Sequence, residues 1–94
     1  MEFEWDPDKS DSNLRKHGIT FLVARQVFGD PERKYKDSFR ASDSEPRGLV
    51  IGKIDDGRMF TVVFTMRSEV IRIISARRSR DGEQRDYRQS SGSI

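Results

Sequence analysis

Between Leu49 and Ala76 the sequence alternates runs of β-branched and aromatic residues with turn chemistry, and no other stretch limits the possible folds so strongly. Leu49-Val50-Ile51-Gly52-Lys53-Ile54 and Met59-Phe60-Thr61-Val62-Val63-Phe64-Thr65-Met66 flank the segment Asp55-Asp56-Gly57-Arg58. Apolar runs on either side of an Asp-Gly step read as a β-hairpin, because glycine supplies the left-handed conformation that the turn needs. Arg67-Ser68 makes a second short turn into Glu69-Val70-Ile71-Arg72-Ile73-Ile74-Ser75-Ala76. Residues 48–76 are therefore expected to form three antiparallel strands of one sheet, with enough Val and Ile to bury at least one face. Such a face requires a cover from elsewhere in the chain.

The preceding residues supply that cover. Phe3 and Trp5 alternate with Glu2, Glu4 and Asp6, the period of a half-buried strand. Asp6 is placed to cap a helix with Pro7 at its first position, and Gly18 to end it left-handed. Only Leu14 is plainly apolar within 7–17, so this helix is expected to lie along the edge of another element. Thr20 caps a second helix in which Phe21, Ala24, Val27 and Phe28 share one face, ended by Gly29-Asp30-Pro31. That helix is expected to pack on the sheet face carrying Phe60, Val62 and Phe64. Arg33 to Phe39 reads as a short charged strand, 40–47 as a polar loop, and 90–94 as a fraying tail. A last helix is expected to be capped by Ser79 or Asp81 and to reach about Tyr87. The order β-α-α-β-β-β-β-α makes the chain α+β, an antiparallel β-sheet with helices packed against it. Its 94 residues allow a single domain, 1–94.

The same composition narrows the chemistry. Charged residues make up 36% of the chain and hydrophobic ones 33%, so the core is thin. There is no apolar run of the ~20 residues a membrane span requires, and the acidic start MEFEWDPDKS lacks the basic-then-apolar order of a signal peptide. No membrane association is expected, and a cytoplasmic location is. Without cysteine there is neither a disulfide framework nor a thiolate zinc site. With one histidine only an all-carboxylate site remains, and Asp6, Asp8, Asp11 and Asp55-Asp56 lack binding-loop spacing, so no metal and no cofactor are expected. Phosphate-binding glycine motifs and the G-x-S-x-G elbow are absent, and nothing sets a serine beside His17 for a triad.

Charge divides unevenly along the chain. Residues 1–46 hold 8 Lys/Arg and 10 Asp/Glu, whereas 47–94 hold 10 and 6. All the cations of the second half but Lys53 are arginines, whose planar fork suits phosphate oxygens. Cations, one imidazole and hydroxyls suffice for one reaction, cleavage of RNA by its own 2′-hydroxyl. It requires a base for that proton, positive charge on the phosphorane oxygens and an acid for the leaving oxygen. His17 follows Arg15 and Lys16 and is either that base or a helix-end histidine set against carbonyl dipoles. Arg72 interrupts the apolar strand Val70–Ile74 and either faces solvent or points into a cleft. Period-2 geometry puts Arg77 on the opposite face unless the strand ends or bulges. Arg77, Arg78 and Arg80 precede a helix N-terminus, a poor place for cations, so they form either a solvated turn or a seat for phosphate or an acidic partner. Tyr35, Phe39 and Tyr87 are the aromatics expected to be free.

Asn13-Leu14-Arg15-Lys16-His17-Gly18, the helix ending Val27-Phe28-Gly29-Asp30-Pro31, and Ile71-Arg72-Ile73-Ile74-Ser75-Ala76-Arg77-Arg78 together resemble the BrnT family of toxins, as do Phe3-Glu4-Trp5-Asp6 and Tyr87. The resemblance spans about residues 3–88. It implies a RelE/ParE-like fold, a ribonuclease that cleaves RNA and arrests translation, and a BrnA-type ribbon-helix-helix antitoxin through which operator DNA is reached; because no residues gather to hold a metal, the endoribonuclease is expected to be metal-independent. For cleavage of RNA, His17, Arg72, Arg77 and Lys16 are the candidate catalytic residues and Arg15, Arg78, Arg80 and Tyr87 the candidate RNA-binding ones. The chain departs from the family in the loop before the meander, where Ser42-Asp43-Ser44-Glu45-Pro46-Arg47 contains no histidine. It departs also at Leu22-Val23, where a Glu pair is usual, and at Asp81-Gly82 in the last helix. Two readings of another class stand beside this one: a non-catalytic nucleic-acid-binding module, and a protein whose basic face meets only an acidic partner.

Overall fold

A computed structural model describes residues 1–37 and 45–89. The tail expected at 90–94, Phe39 and most of the expected 40–47 loop lie outside the described residues. The elements are β1 (Glu2–Glu4), α1 (Pro7–His17), α2 (Phe21–Ala24), a 3-10 turn (Arg25–Gly29), β2 (Lys34–Asp37), β3 (Gly48–Lys53), β4 (Met59–Arg67), β5 (Val70–Arg78) and α3 (Asp81–Gln89).

The meander forms as expected. β3, β4 and β5 pair antiparallel in sequence, β2 joins the outer edge of β3, and the sheet order is β1-β5-β4-β3-β2. The β3–β4 connection is closed by the Ile54 N–H donating to Arg58 O and the Gly57 N–H donating to Ile54 O, with Gly57 at φ 88°. The β4–β5 turn, Ser68-Glu69 between paired Arg67 and Val70, holds Ser68 at φ 56°. The sheet is not wholly antiparallel. β1 runs parallel to β5, with Glu2, Phe3 and Glu4 opposite Val70, Ile71 and Arg72. That pairing puts Phe3 on the buried face, edge to face with Phe28 at 5.3 Å.

One face of the sheet meets α2 and the 3-10 turn. Phe21, Ala24, Val27 and Phe28 pack with Val50, Phe60, Val62, Ile71, Ile73 and Ala76, and Phe64 closes the cluster with its ring 5.2 Å from that of Phe28. The helix expected over 20–28 is α-helical only to Ala24 and then tightens. Gly52 shows why the fit is close here. A Cβ on it would lie 2.9 Å from Val27 Cγ1 and 3.1 Å from the Val27 carbonyl, so the 3-10 backbone rests directly on β3. On the opposite face α3 lays Tyr87 over Ile51 and Met59, a second and smaller core. Among the described residues no helix is long and apolar enough to cross a membrane.

Helix α1 has the expected ends. Asp6 Oδ1 accepts from the Asp8 N–H at 2.9 Å, and Gly18, at φ 74°, donates to Leu14 O. It does lie along an edge, that of β5, but its apolar residue is not what faces inward. Leu14 is 47% exposed, while Ser10 and Asn13 are buried. β1 covers only the first three residues of β5, and beyond it Asn13 takes the place of the missing strand. Its Nδ2 donates to Ala76 O and Ile19 O at 2.9 Å, and its Oδ1 accepts from the Ala76 N–H at 3.2 Å. Buried backbone groups must be paired, and here a carboxamide pairs both edge groups of one residue.

Candidate active site

The register of β4 and β5 decides where the arginines point. Thr61 lies opposite Arg77, Val62 opposite Ala76, Val63 opposite Ser75, and then Phe64 opposite Ile73, which leaves Ile74 as a bulged extra residue. Because of this bulge Arg77 shares a face with Ser75 and Arg72 instead of opposing Arg72. It is the face opposite Phe60, Val62 and Phe64. Arg72 thus turns away from the main core, and its position in an apolar strand costs no unpaired burial. Its Nη1 donates to Glu4 Oε2 at 2.9 Å, with 29% of its side chain exposed. Glu4 lies 4.0 Å from Arg67, and Arg67 donates through Nε and Nη2 to Glu45 at 3.3 and 3.0 Å. The Arg67 guanidinium holds the Glu45 carboxyl below the usual carboxylate range.

Arg77 is engaged more tightly. Its Nη1 and Nη2 donate to the two oxygens of Glu83 at 2.7 and 2.8 Å, and Glu83 also accepts from the Arg80 N–H at 2.8 Å and from the Thr61 hydroxyl at 3.0 Å. Burial alone would push the Glu83 carboxyl up. The Arg77 fork, the Arg80 amide and the Thr61 hydroxyl outweigh it and bring the pKa down to about 2. One expectation is corrected by this carboxylate. Neither Ser79 nor Asp81 caps α3 with its side chain. Glu83 reaches back to the Arg80 N–H, and the Ser79 hydroxyl bonds Thr61 at 2.8 Å. The seat for an anion beside Arg77 and Arg80 is filled by the chain's own acid. Arg78 is exposed, its guanidinium 5.7 Å from the Phe60 ring centre, and Arg80 is exposed at the α3 entry.

Tyr87, expected to be free, is only 8% exposed, and its hydroxyl donates to Asp30 Oδ2 at 2.7 Å. Burial first, and then the Asp30 carboxylate, push its pKa up to about 12. Asp30 also accepts from the backbone N–H groups of Lys53 and Glu32, so this tyrosine ties α3 to the end of the 3-10 turn. Little of its ring is therefore open for a base to stack on. Tyr35, by contrast, is 52% exposed.

Lys16 and His17 come together where the last turn of α1 meets the β5 bulge. With Lys9, Ser12, Asn13, Ile74 and Ser75 they line an open groove of about 410 Å³. Arg15 is exposed on the same turn. The groove presents two ammonium groups, an imidazole and two hydroxyls, with no carboxylate in its lining. Nothing in the sequence alone singles out Lys9, Ser12 and Ser75. Lys9 and Ser12 stand at helical spacing from Lys16, and Ser75 is the polar residue straight after the bulge. Arg72 and Arg77 do not line this groove, and stand on the adjoining sheet face. Among the described residues no three His, Cys, Asp or Glu side chains gather closely enough to hold a metal ion.

A family model described as the ribonuclease toxin BrnT of a type II toxin-antitoxin system matches residues 5–83. Among solved structures, the chain is similar to the Brucella abortus ribonuclease toxin BrnT, whose crystal structure was determined at 1.1 Å, with a TM-score of 0.61 and 25% identity. The match covers 86% of this chain and 99% of that one. No curated protein matches the chain.

Proposed function

Because the chain belongs to the BrnT family of ribonuclease toxins of type II toxin-antitoxin systems, we propose that it cleaves RNA without a metal ion, using the groove between α1 and the β5 bulge. The observation that carries this reading is the convergence of His17, Lys16, Lys9, Ser12 and Ser75 on one groove without a carboxylate in its lining. A phosphodiester seated there meets ammonium charge on its non-bridging oxygens. His17 takes the proton of the 2′-hydroxyl as that oxygen attacks the adjacent phosphorus. The P–O5′ bond breaks, the departing 5′-oxygen is protonated by Lys16, and the products are a 2′,3′-cyclic phosphate and a 5′-hydroxyl end. Arg72 and Arg77 on the neighbouring face supply further charge when phosphate displaces Glu4 or Glu83 from their forks, and exposed Arg15, Arg78 and Arg80 steer the strand.

Cutting RNA in this way arrests translation and makes the cytoplasm the site of action. A type II toxin implies a protein antitoxin, and we assign it to the ribbon-helix-helix BrnA type, with operator DNA contacted through that partner. The test is cleavage of an RNA oligonucleotide covering every dinucleotide step, in EDTA, by the chain and by His17→Ala and Arg72→Ala. Cleavage should survive chelation, fall by ~10²-fold or more in His17→Ala, and fall by ~10²-fold in Arg72→Ala. Loss of activity in EDTA with recovery on adding Mg²⁺ would reject the metal-free mechanism, and an unimpaired His17→Ala would reject the groove.

A further inference from the structure

We infer that Asn13 is a positioning residue of this ribonuclease, holding His17 against the β5 bulge by tethering the chain on both sides of it to Ala76. The inference rests on the groove being the cleavage site and goes further, to what fixes its geometry.

Helix α1 has almost nothing apolar with which to hold its place. Leu14 is exposed, and the residues directed inward are Ser10 and Asn13. Ser10 accepts from the Phe21 N–H at 3.0 Å, which secures the first half of the helix to α2. The second half depends on Asn13, 5% exposed, whose three hydrogen bonds all go to backbone. Two of them reach Ala76, two residues beyond the bulged Ile74, and the third reaches Ile19, beyond the Gly18 terminator. His17 therefore sits on a short span from 13 to 19 whose two ends are joined through one carboxamide and fastened to β5. Asn13 and His17 are one helical turn apart on the same side of α1, and both line the groove.

Positioning and charge separate in this arrangement. The ammonium groups of Lys9 and Lys16 end flexible four-carbon stems and can follow a phosphate when the helix end shifts. An imidazole on a short stem cannot, and a displacement of about 1 Å at a proton-transfer group is enough to cost ~10²-fold in rate. Loss of the Asn13 tether should therefore lower kcat while leaving KM nearly unchanged.

The experiment compares Asn13→Ala with Ser10→Ala on the RNA oligonucleotide, at a temperature where circular dichroism shows each variant folded. Ser10→Ala strands the buried Phe21 N–H and loosens the same helix at its far end, away from the groove. The expected result is a kcat lowered by about 30-fold or more in Asn13→Ala with KM within about twofold, an altered pH profile of kcat, and near-normal kinetics in Ser10→Ala. If Asn13→Ala does not fold, Asn13→Gln takes its place, since it keeps a neutral carboxamide but sets it one methylene away from its reach to the Ala76 and Ile19 backbone. Normal kcat per folded molecule in the Asn13 variant, or equal losses in both variants, would overturn the inference. Either result with His17→Ala still inactive would leave the groove assignment standing, whereas an active His17→Ala would remove the groove assignment itself.

Discussion

Replacing Glu83 with glutamine should remove an acid-sensitive contribution to stability whose size follows from the geometry. The carboxylate is 14% exposed and accepts two bonds from Arg77, one from the Arg80 amide and one from Thr61. Its pKa stands at about 2 against an ordinary 4.5. At 1.36 kcal/mol per unit, that difference corresponds to about 3 kcal/mol favouring the folded state when the group is ionised in both states. Because the folded pKa is the lower one, the contribution is complete above about pH 5 and is lost as pH falls from there through 2. In Glu83→Gln a neutral amide cannot satisfy both guanidinium nitrogens, and Arg77 is left with its side chain only 23% exposed and no counter-charge. The variant should be less stable by about 3 kcal/mol at pH 7, a large share of the 5–15 kcal/mol such a domain possesses. The gap should close toward zero near pH 2. Urea unfolding followed through Trp5, at a series of pH values, measures both curves, and their difference isolates Glu83 from the other carboxyls, Asp30 included. A gap that stays constant from pH 7 to 3 would show that the loss is one of packing. A gap below about 1 kcal/mol at neutral pH would show that the Arg77–Glu83 pair behaves as a solvated surface ion pair.

Two further outcomes follow from single residues. Ser68 carries a left-handed φ of 56° at the β4–β5 turn, so Ser68→Gly should raise the unfolding free energy by up to about 1 kcal/mol, read as a higher urea midpoint, and a lower midpoint would contradict the strain argument. Tyr87→Phe removes the hydroxyl from Asp30 and should cost about 1–2 kcal/mol at neutral pH. In the unaltered chain the Tyr87 phenolate should form only toward pH 12, its contribution being lost between about 10 and 12, and ultraviolet titration of the variant should lack that late step.

What could be read from the sequence was what is decided locally. The Asp6-Pro7 start, the Gly18 stop and the Asp56-Gly57 turn each depend on the φ preference or capping chemistry of one or two residues, and the strands of the meander on the period of their own side chains. Lys16 and His17 were legible for the same reason, as neighbours on one turn of helix. The choice of β5 as a parallel partner for β1, the bulge at Ile74 that brings Arg77 to the face of Arg72, and the docking of α3 that buries Tyr87 depend on pairings between distant segments. Hydrophobic periodicity has no record of these. The same holds for Glu4 and Glu83, whose role as partners of the two arginines appears only once β1 and α3 are in place.

The two residues that periodicity hid most completely perform the same task at opposite edges of the sheet. β1 is shorter than β5, and where it ends Asn13 pairs the exposed N–H and C=O of Ala76. β2 stops short of the end of β3, and there Asp30 accepts from the Lys53 N–H at 2.7 Å. A thin core cannot afford long outer strands, yet each uncovered edge leaves backbone groups that must be paired or solvated. A polar side chain from a helix or from the turn after it meets that need with one residue instead of a strand, and it also sets where that helix or turn sits. For this reason the buried polar residues of α1, and not its leucine, govern the position of His17. Polar residues three apart on a helix with no apolar face, as Ser10 and Asn13 are, mark in sequence a helix that docks by hydrogen bonds to backbone.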